Sequence, residues 1–173
     1  MTRAPSDICD AFGFCLVLER YGWSDLYIAH EGGTLNCRIS AVFTDVAEEL
    51  LKLCRCILDN EAESIALFDE PGGYLVSLTP DAQQQHTMLL VVWELRGDLG
   101  VSRITGSETI ALSMRVKRKQ LLGAIMAELW KADQFLFEPS FQKGRGTDFP
   151  RDQLIALNKE WDVHTSLGPS FLK

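Results

Sequence analysis

Between Cys56 and Leu95 the sequence has no lysine and no arginine. The same stretch carries Asp59, Glu61, Glu63, Asp69, Glu70, Asp81 and Glu94, seven carboxylates that equal the net charge of −7 of the whole chain. A surface of that sign repels phosphate backbones, which argues against nucleic-acid binding, and it attracts a basic partner. Basic residues gather instead at Arg115, Lys117, Arg118 and Lys119. Long hydrophobic runs are missing as well. Met88–Trp93 is the longest, far short of the ~20 residues that span a bilayer. The first apolar run, Phe12 to Leu18, is broken by Gly13 and ends at Glu19, with no small-residue cleavage site behind it, unlike a secretory signal. The chain is expected to be cytoplasmic, with no membrane contact.

Catalytic and metal-binding signatures are equally sparse. The five cysteines, Cys9, Cys15, Cys37, Cys54 and Cys56, are odd in number and irregularly spaced, which argues for free buried or half-buried thiols over a disulfide framework. His30, His86 and His164 have no paired ligand spacing, and zinc would want CxxC or HxxxH. There is no GxSxG elbow around any serine. Gly32-Gly33, Gly72-Gly73 and Gly144-Arg145-Gly146 read as turns, since none follows a strand and opens a helix as a phosphate-binding loop does. No catalytic residue, metal or cofactor is therefore expected.

What the sequence does contain is periodicity. Phe12, Phe14, Leu16 and Leu18 alternate as a half-buried strand does. Tyr21–Asp25 reads as a turn, and Leu26–His30 and Thr34–Ser40 read as two further strands of an antiparallel meander. Asp45 with Glu48, or Thr44 as the alternative cap, predicts a helix start. Val46, Leu50, Leu53 and Ile57 form its stripe, and Asn60 suits its left-handed end. Four more strands are expected at 64–68, 74–78, 86–95 and 108–114. Pro71-Gly72 between the first two fits a type II turn. Met88–Trp93 is apolar on both faces, so that strand needs two covers: a helix, a curled sheet edge or a second copy of the chain. A second helix is expected over 115–137, stopped by Pro139, then a mobile loop over 140–148 and a short third helix from Pro150.

The length of 173 residues suits one domain. The fold class is α+β: an antiparallel sheet of about seven strands in the order three strands, helix, four strands, helix, with a short C-terminal helix. Residues 1–10 and 162–173 are expected to be loose.

Gly22-Trp23-Ser24 after the first strand, Ser40 with Thr44-Asp45 opening a leucine-rich helix, Asp69-Glu70-Pro71-Gly72 at a hairpin, and Phe149-Pro150 followed by Leu154 together resemble a class of uncharacterised bacterial proteins, some of them similar to immunity proteins of polymorphic toxin systems. The resemblance implies an antiparallel α+β fold and a binding role, and it carries over no catalytic residue. The expected function is therefore a non-enzymatic bacterial binding protein that neutralises a toxin or another basic protein partner. The expected contact residues are Glu61, Glu63, Asp69 and Glu70, with Trp130, which falls off the main stripe of the second helix, at a rim or contact between elements. A homodimer is a further expectation, from the doubly apolar strand. The alternative is a small-molecule-binding protein or an enzyme of unrecognised type, which requires a deep pocket holding several polar groups.

Overall fold

The computed structural model describes residues 8–95 and 108–169. The linker at Gly97–Gly100, and Ser102 and Ser107, lie outside these. Three strands come first: β1 (Gly13–Leu18), β2 (Trp23–His30) and β3 (Gly33–Ser40). Helix α1 (Val46–Asp59) follows, then β4 (Glu63–Asp69), β5 (Gly72–Pro80), β6 (Thr87–Leu95) and β7 (Thr109–Lys117), and last the helices α2 (Arg118–Phe135), α3 (Pro139–Gln142) and α4 (Arg151–Val163). Among the described residues no helix is long and apolar enough to cross a membrane.

The strands form two antiparallel sheets, β1-β2-β3 and β4-β5-β6-β7, where one sheet was expected. The physical reason lies where β3 and β4 end. The Phe68 backbone N–H donates to the Thr44 hydroxyl at 3.0 Å, and Ser40 Oγ donates to Glu70 Oε1 at 3.1 Å. The Thr44 hydroxyl thus takes one backbone N–H at the end of β4, and the Ser40–Glu70 bond ties the two strand ends through side chains. These two bonds also place the final residues of β3 and β4 at the same end of the molecule.

Helix α1 is the structural centre. Asp45 accepts from the N–H groups of Ala47 and Glu48, and Asn60 closes the helix in the left-handed conformation at φ 59°. Between the caps, Val46, Leu50, Leu53, Cys54 and Ile57 are buried against both sheets' inner residues and against Leu122, Ile125 and Met126 of α2.

Several local expectations are revised. Strand β2 starts at Trp23, because a 3-10 turn at Arg20–Gly22 reverses the chain early, with Tyr21 at φ 60° and Gly22 at φ 86°. Helix α2 starts at Arg118, since Arg115–Lys117 continue β7 and put Val116 into the core opposite Met88. At the β4–β5 hairpin Asp69 pairs with Gly72, so Glu70 and Pro71 are the central residues, and their peptide bond is cis. Proline then sits at the third turn position, as in type VI turns, and not at the second as in type II. Strand β6 is buried on one face and only in part on the other, where Leu89 and Trp93 are half-buried. Met88, Leu90 and Val92 join the main core, while Val91, opposite Ser77, and Leu75 of β5 are buried apart from it.

The segments expected to be loose are tied where they are described. The Cys9 N–H donates to the Arg115 carbonyl at 2.8 Å, and Lys117 pairs with Asp10 at 2.5 Å. Beyond α4, the Trp161 indole donates to the Leu167 carbonyl at 2.8 Å, and Leu167 is buried.

Candidate functional site

Two arginines, Arg118 buried and Arg145 half-buried, organise the two ends of the molecule. At the end where α1 stops, the Asn60 and Glu61 N–H groups both take the Cys56 carbonyl. That leaves the Ile57 and Leu58 carbonyls, part of the open last turn that any helix presents. Arg118, 8% exposed, supplies the donors: Nε and Nη2 to the Ile57 carbonyl at 3.2 and 2.5 Å, Nη2 to Leu58 at 3.3 Å, and Nη1 to the Gln85 carbonyl at 3.0 Å. One guanidinium therefore joins α1, the β5–β6 connection and the first residue of α2. Burial lowers its pKa from the usual guanidinium value. Asp59, Glu61 and Glu63 are exposed around the same helix end. Burial first, then these carboxylates, push the Cys56 thiol up to about 12.

At the other end β1 finishes, β2 begins and β3 finishes. Arg145 is inserted there. Its Nη2 donates to the Trp23 carbonyl at 2.8 Å and the Glu19 carbonyl at 3.2 Å, Nη1 to Ser24 Oγ at 3.1 Å, and Nε to the Phe141 carbonyl at 3.0 Å. The 140–148 segment expected to be mobile is thus pinned to the β1–β2 turn. The two backbones touch: a Cβ on Gly22 would stand 2.4 Å from the Gly144 carbonyl oxygen. Thr147 also hydrogen-bonds Asp45, the α1 cap. The pocket between Arg145, Asp45, Leu16, Ala132 and Phe149 has about 30 Å³ of free space, room for a water or two and not for an organic ligand.

Around this clamp the chain exposes apolar side chains. Tyr21 is 69% exposed, Val42 75% and Phe43 42%. They are neighbours because the Ala41 N–H donates to the Gly22 carbonyl at 2.9 Å. The β4–β5 hairpin tip lies on the same end, held by the Ser40–Glu70 bond, and Asp69 Oδ1 accepts from the Glu70 N–H at 2.7 Å. An exposed Tyr-Val-Phe group beside two carboxylates is the result. Aromatic residues with a charged rim are the composition that protein interfaces favour.

The five residues expected to meet a partner do not come together. Asp69 and Glu70 sit at this apolar end. Glu61 and Glu63 sit at the start of β4, about 20 Å away along a strand that rises ~3.3 Å per residue. Trp130 is half-buried, and its indole donates to Asn158 Oδ1 at 3.1 Å, joining α2 to α4. Asp81, another of the seven acids, pairs with Arg115 at 3.1 Å. Hydrogen bonds from backbone N–H groups, Gln83 first, lower its pKa, and Arg115 adds to the effect.

The remaining chemistry is structural. His30 Nδ1 accepts from the Gly32 N–H, and His164 Nδ1 accepts from the N–H groups of Ser166 and Leu167. Cys9, Cys37, Cys54 and Cys56 are buried, and burial pushes the Cys37 thiol up to about 12. Cys15 alone of the five is exposed. No group of three or more His, Cys, Asp or Glu side chains that could hold a metal occurs among the described residues. No protein-family model, curated protein or solved structure matches the chain.

Proposed function

We propose that this is a non-enzymatic bacterial binding protein that holds a basic protein partner in the cytoplasm, in the manner of a toxin-neutralising immunity protein. The observation that carries the reading is the exposed Tyr21, Val42 and Phe43 beside Asp69 and Glu70, on an end made rigid by Arg145. The apolar side chains supply the buried part of a contact, and the carboxylates steer a basic partner and set its orientation. The pocket behind them, about 30 Å³, is too narrow for an organic ligand, so at this end the exposed side chains themselves form the contact. The acidic tip replaces the broader acidic stretch as the contact, since Glu61 and Glu63 face a different end.

The test is genetic. Expressed alone, the product of the gene adjoining this one is expected to stop bacterial growth, and co-expression of this chain is expected to restore it. Growth arrest that this chain does not relieve, or an adjoining product with no effect on growth, would overturn the immunity role.

A further inference from the structure

We infer that the outer face of the β1-β2-β3 sheet holds a site for an arginine side chain of a basic protein partner, with Asp25 as the carboxylate that receives it. Alternation along β2 sends Leu26 and Ile28 into the core, so Trp23, Asp25 and Tyr27 point to the opposite face. The antiparallel register sets Val17 of β1 and Arg38 of β3 on either side of Asp25. That face is open to solvent around its centre: Val17 is 40% exposed, and Cys15 and Arg38 are exposed.

Asp25 itself is only 5% exposed. Its Oδ1 is shut off from water and meets no donor among the described residues. A carboxylate in that position is costly unless something pairs it. The obvious candidate is Arg38, directly across the ladder, and it is committed elsewhere. Its Nη2 meets Glu19 at 3.3 Å, and its guanidinium lies over the Trp23 ring at 4.7 Å. Both contacts draw it toward the β1–β2 turn. Asp25 is thus a buried acceptor to which its neighbours donate nothing at Oδ1, and that points to a donor arriving from outside.

Chemistry selects the donor. Trp23 and Tyr27 are both half-buried, and they stand about 7 Å before and after Asp25 along a strand that rises ~3.3 Å per residue. A carboxylate between two aromatic residues suits a guanidinium, whose planar fork reaches both carboxylate oxygens while its face stacks on a ring. Arg38 already uses Trp23 in this way, and Tyr27 offers the second ring. An apolar group seated here would leave Asp25 unpaired beneath it, and an anion would be repelled. The site also adjoins the acidic tip, since Trp23 lies opposite Ser40 in the ladder and Ser40 donates to Glu70. An interface of about 800 Å² per partner is wide enough to span both. The inference rests on the reading of a basic protein partner at this end and names the side chain that anchors it.

Two measurements test it, and neither uses the product of the adjoining gene. The first is stability. Asp25→Asn keeps the shape and removes the charge, so it is expected to raise the urea midpoint with an unchanged slope, as for a group that serves binding and not folding. A lowered midpoint, or a variant that fails to fold, would show that Asp25 is already paired within the chain, with Arg38 turned over to meet it, and would overturn the inference. The second is binding, followed by NMR. Nα-acetyl-arginine amide is expected to shift the Trp23 indole and the amides of residues 23–27, saturating with a Kd on the order of millimolar, as a ligand of that size allows. Its neutral isostere Nα-acetyl-citrulline amide should leave them unmoved. Asp25→Asn should weaken arginine binding about tenfold or more, and Asp69→Asn should not. Equal binding of the citrulline probe, unchanged arginine binding in Asp25→Asn, or shifts confined to the Asp69–Glu70 tip would each overturn the inference. Arginine bound at Asp25 in a chain that gives no rescue of growth would uphold this site and count against the toxin-neutralising role alone.

Discussion

Replacing Arg118 with alanine is expected to cost about 3–4 kcal/mol of stability, from the loss of a buried donor set worth roughly 1–3 kcal/mol for each acceptor left unpaired. The reasoning starts at the C-terminus of α1. Its last-turn carbonyls at Ile57 and Leu58 are buried under the β5–β6 connection, and the guanidinium is the donor that reaches them. The same group holds the Gln85 carbonyl. A positive charge there is also favoured by the negative end of the helix dipole. Alanine removes the donors and leaves a void, and the carbonyls stay buried. Lysine keeps the charge but offers a single donor point in place of a planar fork, so Arg118→Lys should recover only part of the loss. In urea titrations the midpoint should fall with an unchanged slope. The melting temperature should drop by ~10 °C for a chain of this length. An alanine variant within about 1 kcal/mol of wild type would show that water satisfies those carbonyls equally well.

The second large effect concerns Arg145, and it should be local before it is global. Four acceptors from Glu19, Trp23, Ser24 and Phe141 converge on this side chain, and Gly22 and Gly144 let the two backbones meet beneath it. Both glycines have positive φ, 86° and 89°, a conformation that side chains disfavour. Removing the guanidinium should release the 142–149 segment from the β1–β2 turn at a cost of roughly 2–3 kcal/mol. Trypsin offers a direct reading. Lys143 is expected to resist cleavage in the native wild type and to be cut rapidly in Arg145→Ala, before the core unfolds. Equal cleavage rates at Lys143 in the two proteins would show that the segment is held by something else.

Much of the architecture could be read from local pattern. The α1 stripe, its Asp45 and Asn60 caps, the alternation in β1 and the doubly apolar β6 are all signals within a few residues of one another. What escaped depends on distant pairings. Where the two sheets part, the Thr44 hydroxyl takes the Phe68 N–H, and no periodicity reports such a bond. Arg145 sits between two glycines in a polar stretch, which locally resembles an unstructured loop; its acceptors lie more than 110 residues earlier for three of its four contacts. Arg118 read only as one of four clustered basic residues near the start of the second helix.

The candidate surface was legible in half. Asp69 and Glu70 on a hairpin tip were visible, but nearness in sequence overstated their link to Glu61 and Glu63, because an extended strand separates its ends efficiently. Tyr21, Val42 and Phe43 did leave a trace. They are large apolar residues inside connecting segments, where no strand or helix period claims them, and such residues are the ones a fold leaves on its surface.

The most direct measurement of the proposed role is the association rate with the product of the adjoining gene, followed by stopped flow in low salt. Asp69→Lys combined with Glu70→Lys is expected to slow association on the order of tenfold, because rim charges act mainly on encounter, and the difference should shrink as salt is raised. Glu61→Lys, at the far end of β4, should change the rate much less. Equal rates for wild type and the Asp69–Glu70 variant at low salt, or a larger effect at Glu61, would contradict the assignment of the acidic, aromatic end as the binding surface.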